Sequence, residues 1–187
     1  MQVFEAHDDP DIDHVWKWFE YQLSLIAGSR ARVLRGIGSA SEPAAQALYR
    51  HEAQFIGFTP GELEEFFIRQ RNRLELLTMF EILAITEAVL RIEVRTRAAA
   101  RRKDSLSRRF RKLHQDKGDR IRLDEDILAA LKEVGVSASA IAAFRGTLKL
   151  RHWLAHGRHW HPKLGRDYAP NDVFDISRVL IESIPHW

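Results

Sequence analysis

The chain has no cysteine among its 187 residues. That excludes disulfides and thiolate metal sites, and it fits a reducing compartment, so the expected location is cytoplasmic. No uninterrupted apolar run approaches the length of a membrane span, so no membrane partner is expected. The first residues, MQVFEAHDDPDIDHVW, are acidic and lack an apolar segment, which argues against a signal peptide. Strand-like alternation, internal repeats and low-complexity tracts are also missing. There is no Gly-x-Ser-x-Gly elbow, no phosphate-binding glycine loop and no dinucleotide fingerprint. Nothing in the chain then offers a nucleophile of its own, and no cofactor is expected.

Charge is present but unevenly placed. Residues 91–122 hold 13 Lys and Arg against 4 Asp and Glu, a net of +9, whereas the remainder holds 16 against 22, a net of −6. A basic block on a mildly acidic body points to an anionic partner such as nucleic acid. The alternative is a solvated helical excursion whose arginines pair locally.

Helical periodicity dominates the pattern. Residues 11–27 carry Val15, Trp16, Phe19, Leu23 and Ile26 as an apolar stripe, with Gly28 as the stop and 28–42 as a loop. Ser41 and Pro43 open a short helix to about Phe55. Thr59-Pro60-Gly61-Glu62 has capping-box spacing and opens a long helix, 61–102. Residues 103–122 are charged and partly helical. Asp124 caps a short helix to Val134, and a last helix covers about 171–183. The expectation is a single all-α domain, a bundle of about five to seven helices in which two long helices, 61–102 and that following Ser137, supply most of the core.

The chemistry concentrates in 137–161, SASAIAAFRGTLKLRHWLAHGRHWH. Ser137 is a suitable N-cap, and Gly157 stands where a helix-ending residue with positive φ belongs. Ile141, Phe144, Leu148, Leu150, Leu154 and Ala155 form an apolar arc; Arg145, Lys149, His152 and His156 form a basic face. Arg151 falls within the apolar arc, and a buried arginine needs a partner. Glu87 lies mid-arc on the long helix. The two could face each other across the core, or Arg91, one turn beyond Glu87, could satisfy it locally.

His152 and His156 stand at i, i+4, with His159 and His161 beyond the turn. Metal binding is not expected: no glutamate lies within the motif, and the arginine-rich surroundings repel a cation. Proton transfer near neutral pH is the better use of an imidazole. RNA supplies its own nucleophile, the 2′-hydroxyl. A metal-free site then needs a base, an acid and a cation for the charge developing on phosphorus.

Arg151-His152-Trp153-Leu154-Ala155-His156 resembles the Arg-x4-His motif of HEPN-domain proteins, small all-α domains that include many metal-independent ribonucleases of toxin–antitoxin, phage-defence and RNA-processing systems. A second match, Arg109 to His114, has Phe110 where a polar residue is usual and lies in the charged block. The resemblance implies one HEPN-like domain over the chain and a homodimer in which the motif helices meet. It implies His156 as acid/base, Arg151 on the scissile phosphate, His152 and Glu87 in support, and products ending in a 2′,3′-cyclic phosphate and a 5′-hydroxyl. Arg145, Lys149, Arg158, His159, Arg101, Arg102, Arg108 and Arg109 are the expected RNA contacts. An antitoxin or other regulatory protein is a further expected partner. The rival expectation is a non-catalytic HEPN-like domain that binds RNA or protein. Arg151 and His156 lie about 140° apart on an ideal helix, so a shared site needs a two-fold axis or a helix that loosens before Gly157.

Overall fold

The computed structural model describes residues 11–38, 53–55, 57–100, 102–158 and 161–185. The protein is all-α, with six α-helices and no strand among the described residues. They are α1 (Ile12–Gly38), α2 (Pro60–Ala99), α3 (Ser105–Lys117), α4 (Leu128–Glu133), α5 (Ala138–Ala155) and α6 (Pro170–Glu182). No helix among the described residues is long and apolar enough to cross a membrane.

Two expectations about the long helices need correction. Gly28 does not stop the first helix: residues 28–38, expected as loop, continue α1. The reason is that Val33, buried at i+7 from Ile26, extends the apolar stripe past the glycine. The second-longest helix is therefore α1 rather than the helix after Ser137, which spans 18 residues against 27. The short helix expected from Ser41 lies mostly outside the described residues; at its end Ala53–Phe55 form a 3-10 turn.

Contacts divide the chain into two compact units, with boundaries after Val15 and after Thr78. The unit between them has a small core of Val33, Phe55, Leu63 and Phe67. Phe55 meets Phe66 edge-on at 5.0 Å, the favoured geometry for rings with a negative face and positive rim. The capping box forms as the spacing predicts: Glu62 accepts from the Thr59 backbone N–H at 2.7 Å, and Thr59 Oγ1 accepts from the Glu62 N–H at 3.3 Å.

The other unit buries Leu83, Leu90 and Val94 of α2, Phe110 of α3, Leu131 of α4, Phe144 of α5 and Leu180 of α6. Each such side chain contributes roughly 1.5–3 kcal/mol on removal from water. Asp104 caps α3 by accepting from the Ser107 N–H at 2.8 Å. Asp124 does not cap the next helix. The chain instead takes a π-helical turn, Leu123–Ile127, and Asp126 accepts from the Arg122 N–H at 2.8 Å. Lys117 Nζ meets the other Asp126 oxygen at 2.5 Å. These two donors, the ammonium first, hold the Asp126 carboxyl below the usual carboxylate range. In α6, Pro170 occupies the first turn and Asp172 accepts from the Ala169 N–H at 2.9 Å. Its buried Val173, Phe174, Ser177 and Leu180 pack it against α5.

Candidate functional site

The helix α5 starts and stops where its sequence says. Ser137 Oγ accepts from the Ala140 N–H at 3.4 Å. At the other end Gly157 has φ of +80°, and the Arg158 N–H closes back onto the Trp153 carbonyl at 3.3 Å. This is the six-to-one bond of a Schellman cap. It places Arg158 at φ of +58°, a region that costs a side-chain-bearing residue about 1 kcal/mol or more.

Along α5 the apolar arc is buried at Ile141, Phe144 and Leu150 but only half-buried at Leu148 and Leu154, and Ala155 is exposed. Arg151 sits in this thinning part. Its side chain is 37% exposed, not buried as expected, while that of Glu87 is 13% exposed. Both foreseen partners of Glu87 are in place. Arg91 Nε donates to Glu87 Oε1 at 2.8 Å, and Arg91 Nη1 to the Ile121 carbonyl at 3.1 Å. Arg151 Nη2 lies 2.5 Å from Glu87 Oε2. That contact is a close ion pair without hydrogen-bond alignment, and Glu87 Oε2 and Arg151 Nε have no hydrogen-bond partner. Glu87 is thus hydrogen-bonded by Arg91 and ion-paired with Arg151.

The exposed imidazoles of His152 and His156 are in ring contact, with centroids 4.3 Å apart. The helix is regular through Ala155, and the His156 N–H still donates to the His152 carbonyl at 3.1 Å. Of the two ways to join Arg151 and His156, a helix that loosens before Gly157 is therefore not the one seen. Arg151 and His156 stay about 140° apart around one helix.

The basic face of α5 opens on a cleft of about 420 Å³, lined from α5 by Arg145, Leu148, Lys149 and His152 and from beyond by Lys163 and Leu164. Lys163 was not singled out from sequence; its position after a turn gives no periodic signal. Among the described residues no group of three His, Asp or Glu side chains is placed to hold a metal ion.

The remaining expected RNA contacts are scattered. Arg101 and His159 lie outside the described residues. Arg102, Arg108 and Arg158 are exposed. Arg109 Nε pairs with Glu133 at 2.9 Å. Within 91–122, Arg91, Arg97, Arg109, Lys117 and Arg122 all reach carboxylates. The block is partly consumed by its own fold.

Among the described residues, the arginine that is fully buried is Arg97, 1% exposed. Its Nε donates to Glu93, its Nη1 to Asp104 at 3.2 Å, and its Nη2 to the Pro185 carbonyl. It ties the end of α2 to the start of α3 and to the segment after α6. The Glu93-x3-Arg97 spacing was the available signal.

The chain matches no protein-family model, no curated protein and no solved structure.

Proposed function

We propose that the protein is a metal-independent endoribonuclease of toxin or defence type, HEPN-like, acting at a cleft between two copies of the chain. The observation that carries this reading is the end of α5. Two exposed imidazoles touch there, and Arg151, one residue before His152, keeps 37% of its side chain exposed beside them.

Imidazoles are the side chains suited to proton transfer near neutral pH, and a guanidinium stabilises an anionic phosphorane. His156 takes the proton of the RNA 2′-hydroxyl as that oxygen attacks phosphorus. The 5′-oxygen leaves and takes up the proton that His156, now acting as acid, gives back, leaving a 2′,3′-cyclic phosphate and a 5′-hydroxyl. His152 supports His156 through the ring contact. Since one helix holds Arg151 and His156 about 140° apart, the reading requires a second copy to bring one chain's arginine to the other's histidine.

The second reading is a non-catalytic HEPN-like domain that binds RNA or protein. The hold of Glu87 on Arg151 favours it.

Cleavage of total and transfer RNA with chelator present, comparing the parent with His156→Ala purified in parallel, separates the two. The first reading expects chelator-resistant cleavage by the parent alone, with cyclic-phosphate ends. Equal cleavage by both proteins removes His156 from the mechanism. Tight RNA binding without cleavage selects the second reading.

A further inference from the structure

The cleft beside α5 is assembled from unlike parts that together describe one kind of ligand. Arg145, Leu148, Lys149 and His152 stand at i, i+3, i+4 and i+7, so one helical face supplies one wall. Its volume, about 420 Å³, falls within the range of about 300–1,000 Å³ usual for small-molecule sites.

The cleft's charge favours an anion. Arg145, Lys149 and Lys163 against Asp124 leave a net charge of +2. Asp124 occupies part of Arg145: its carboxylate accepts from Arg145 Nε and its carbonyl from Arg145 Nη2 at 3.1 Å. A guanidinium has five N–H donors, so these two bonds leave three. Lys149 and Lys163 make no ion pair with a carboxylate among the described residues. Beside these cations, Leu148, Pro162 and Leu164 form an apolar patch. Cations next to an apolar patch suit an anion that carries a flat, weakly hydrated body, which is the chemistry of a phosphate joined to a base.

The second wall is fixed in place. A Cβ at Gly146 would lie 2.7 Å from Tyr168 Oη, so the tyrosine that follows Lys163 and Leu164 seats on α5 where no side chain intervenes. The Arg166 guanidinium covers the Tyr168 ring at 4.6 Å and reaches Asp172 at 3.7 Å.

We infer that this cleft binds a single nucleotide of RNA, its phosphate on Lys149, Lys163 and Arg145 and its base on Leu148, Pro162 and Leu164. The choice of RNA rests on the ribonuclease reading, and the cleft then sets which nucleotide lies beside His152.

Calorimetric titration of the full chain with the four nucleoside 3′-monophosphates, inorganic phosphate and adenosine tests it. At least one nucleotide should bind with a Kd below about 1 mM, and inorganic phosphate about tenfold or more weaker. Lys149→Ala/Lys163→Ala should weaken the nucleotide about tenfold or more, since each lost charged contact approaches one decade. Both lysines are exposed, so the variant keeps its fold, checked by circular dichroism. Leu164→Ser, as a second variant, should weaken nucleotide but not inorganic phosphate. The inference is overturned by absent nucleotide binding, by phosphate binding as tightly as nucleotide, or by unchanged affinity in the double-lysine variant. Cleavage that depends on His156 without nucleotide binding sinks the cleft and spares the ribonuclease. Nucleotide binding without such cleavage does the reverse.

Discussion

Arg97 and Arg151 both sit on apolar arcs, and their substitution should have very different consequences. Arg97→Met keeps most of the stem's volume and removes the charge. It leaves Glu93, 20% exposed, and Asp104, 39% exposed, without their cation, and the Pro185 carbonyl without its donor. Removing one member of a buried ion pair costs about 3–5 kcal/mol. The partial exposure of both carboxylates allows water to return, which places the cost near the lower end, about 3 kcal/mol. Arg151→Met removes a half-exposed group, and Glu87 retains Arg91 at 2.8 Å, so the cost should be about 1 kcal/mol. The gap of about 2 kcal/mol is roughly thirtyfold in the folded-to-unfolded ratio. Urea denaturation of the two variants and the parent reads it directly. Adding Glu93→Gln and Asp104→Asn to Arg97→Met should recover part of the loss, because it removes the stranded charges while Asn keeps the cap on α3. Equal destabilisation by the two arginine variants, or a cost under about 1 kcal/mol for Arg97→Met, would refute the division of labour drawn here.

Three further outcomes are expected. Asp126 has a folded pKa below its ordinary value of 3.8, so its stabilisation is complete above that value and is lost as pH falls through the lowered folded value. Parent and Asp126→Asn should differ in stability at neutral pH and converge below pH 3.8, and parallel curves down to the acid limit would contradict this. Gly146→Ala alone should gain little or lose stability, because the new methyl meets Tyr168 Oη; with Tyr168→Phe added it should exceed Tyr168→Phe alone by roughly 0.5–1 kcal/mol, the usual gain of Ala over Gly in a helix. Arg158→Gly should raise the unfolding free energy and Gly157→Ala should lower it, each by about 1 kcal/mol, since both positions have positive φ, and thermal denaturation reads the direction of each; a Gly157→Ala protein as stable as the parent would show that the cap does not hold in solution.

The parts of this fold that were legible in sequence are those decided within one helical turn. The Thr59–Glu62 box, the Ser137 cap and the left-handed Gly157 each involve residues within five positions of one another. Gly28 misled because a glycine can stop a helix or sit inside one, and what decides is whether apolar residues resume beyond it. Val33 does, and it is buried against Phe55, Leu63 and Phe67, none of them local. The arginines show the same limit more sharply. A helical wheel that placed Glu87 and Arg151 on apolar arcs places Arg97 on the arc of Leu83, Leu90 and Val94 by the same rule. What the wheel lacks is which distant segment returns over a given turn. Over Arg97 the Pro185 carbonyl returns from 88 residues away, and Asp104 folds back from the next helix. Over Arg151, among the described residues, Glu87 alone arrives as a charged partner, and the arc around it is already thinning toward Ala155. The burial that marks an arginine as exceptional therefore belongs to Arg97, whose N–H groups are committed to structure. Arg151, with one carboxylate partner, keeps 37% of its side chain exposed. A charge fully satisfied by its own fold has nothing left to offer a phosphate, so the weaker structural role of Arg151 supports its candidacy for chemistry.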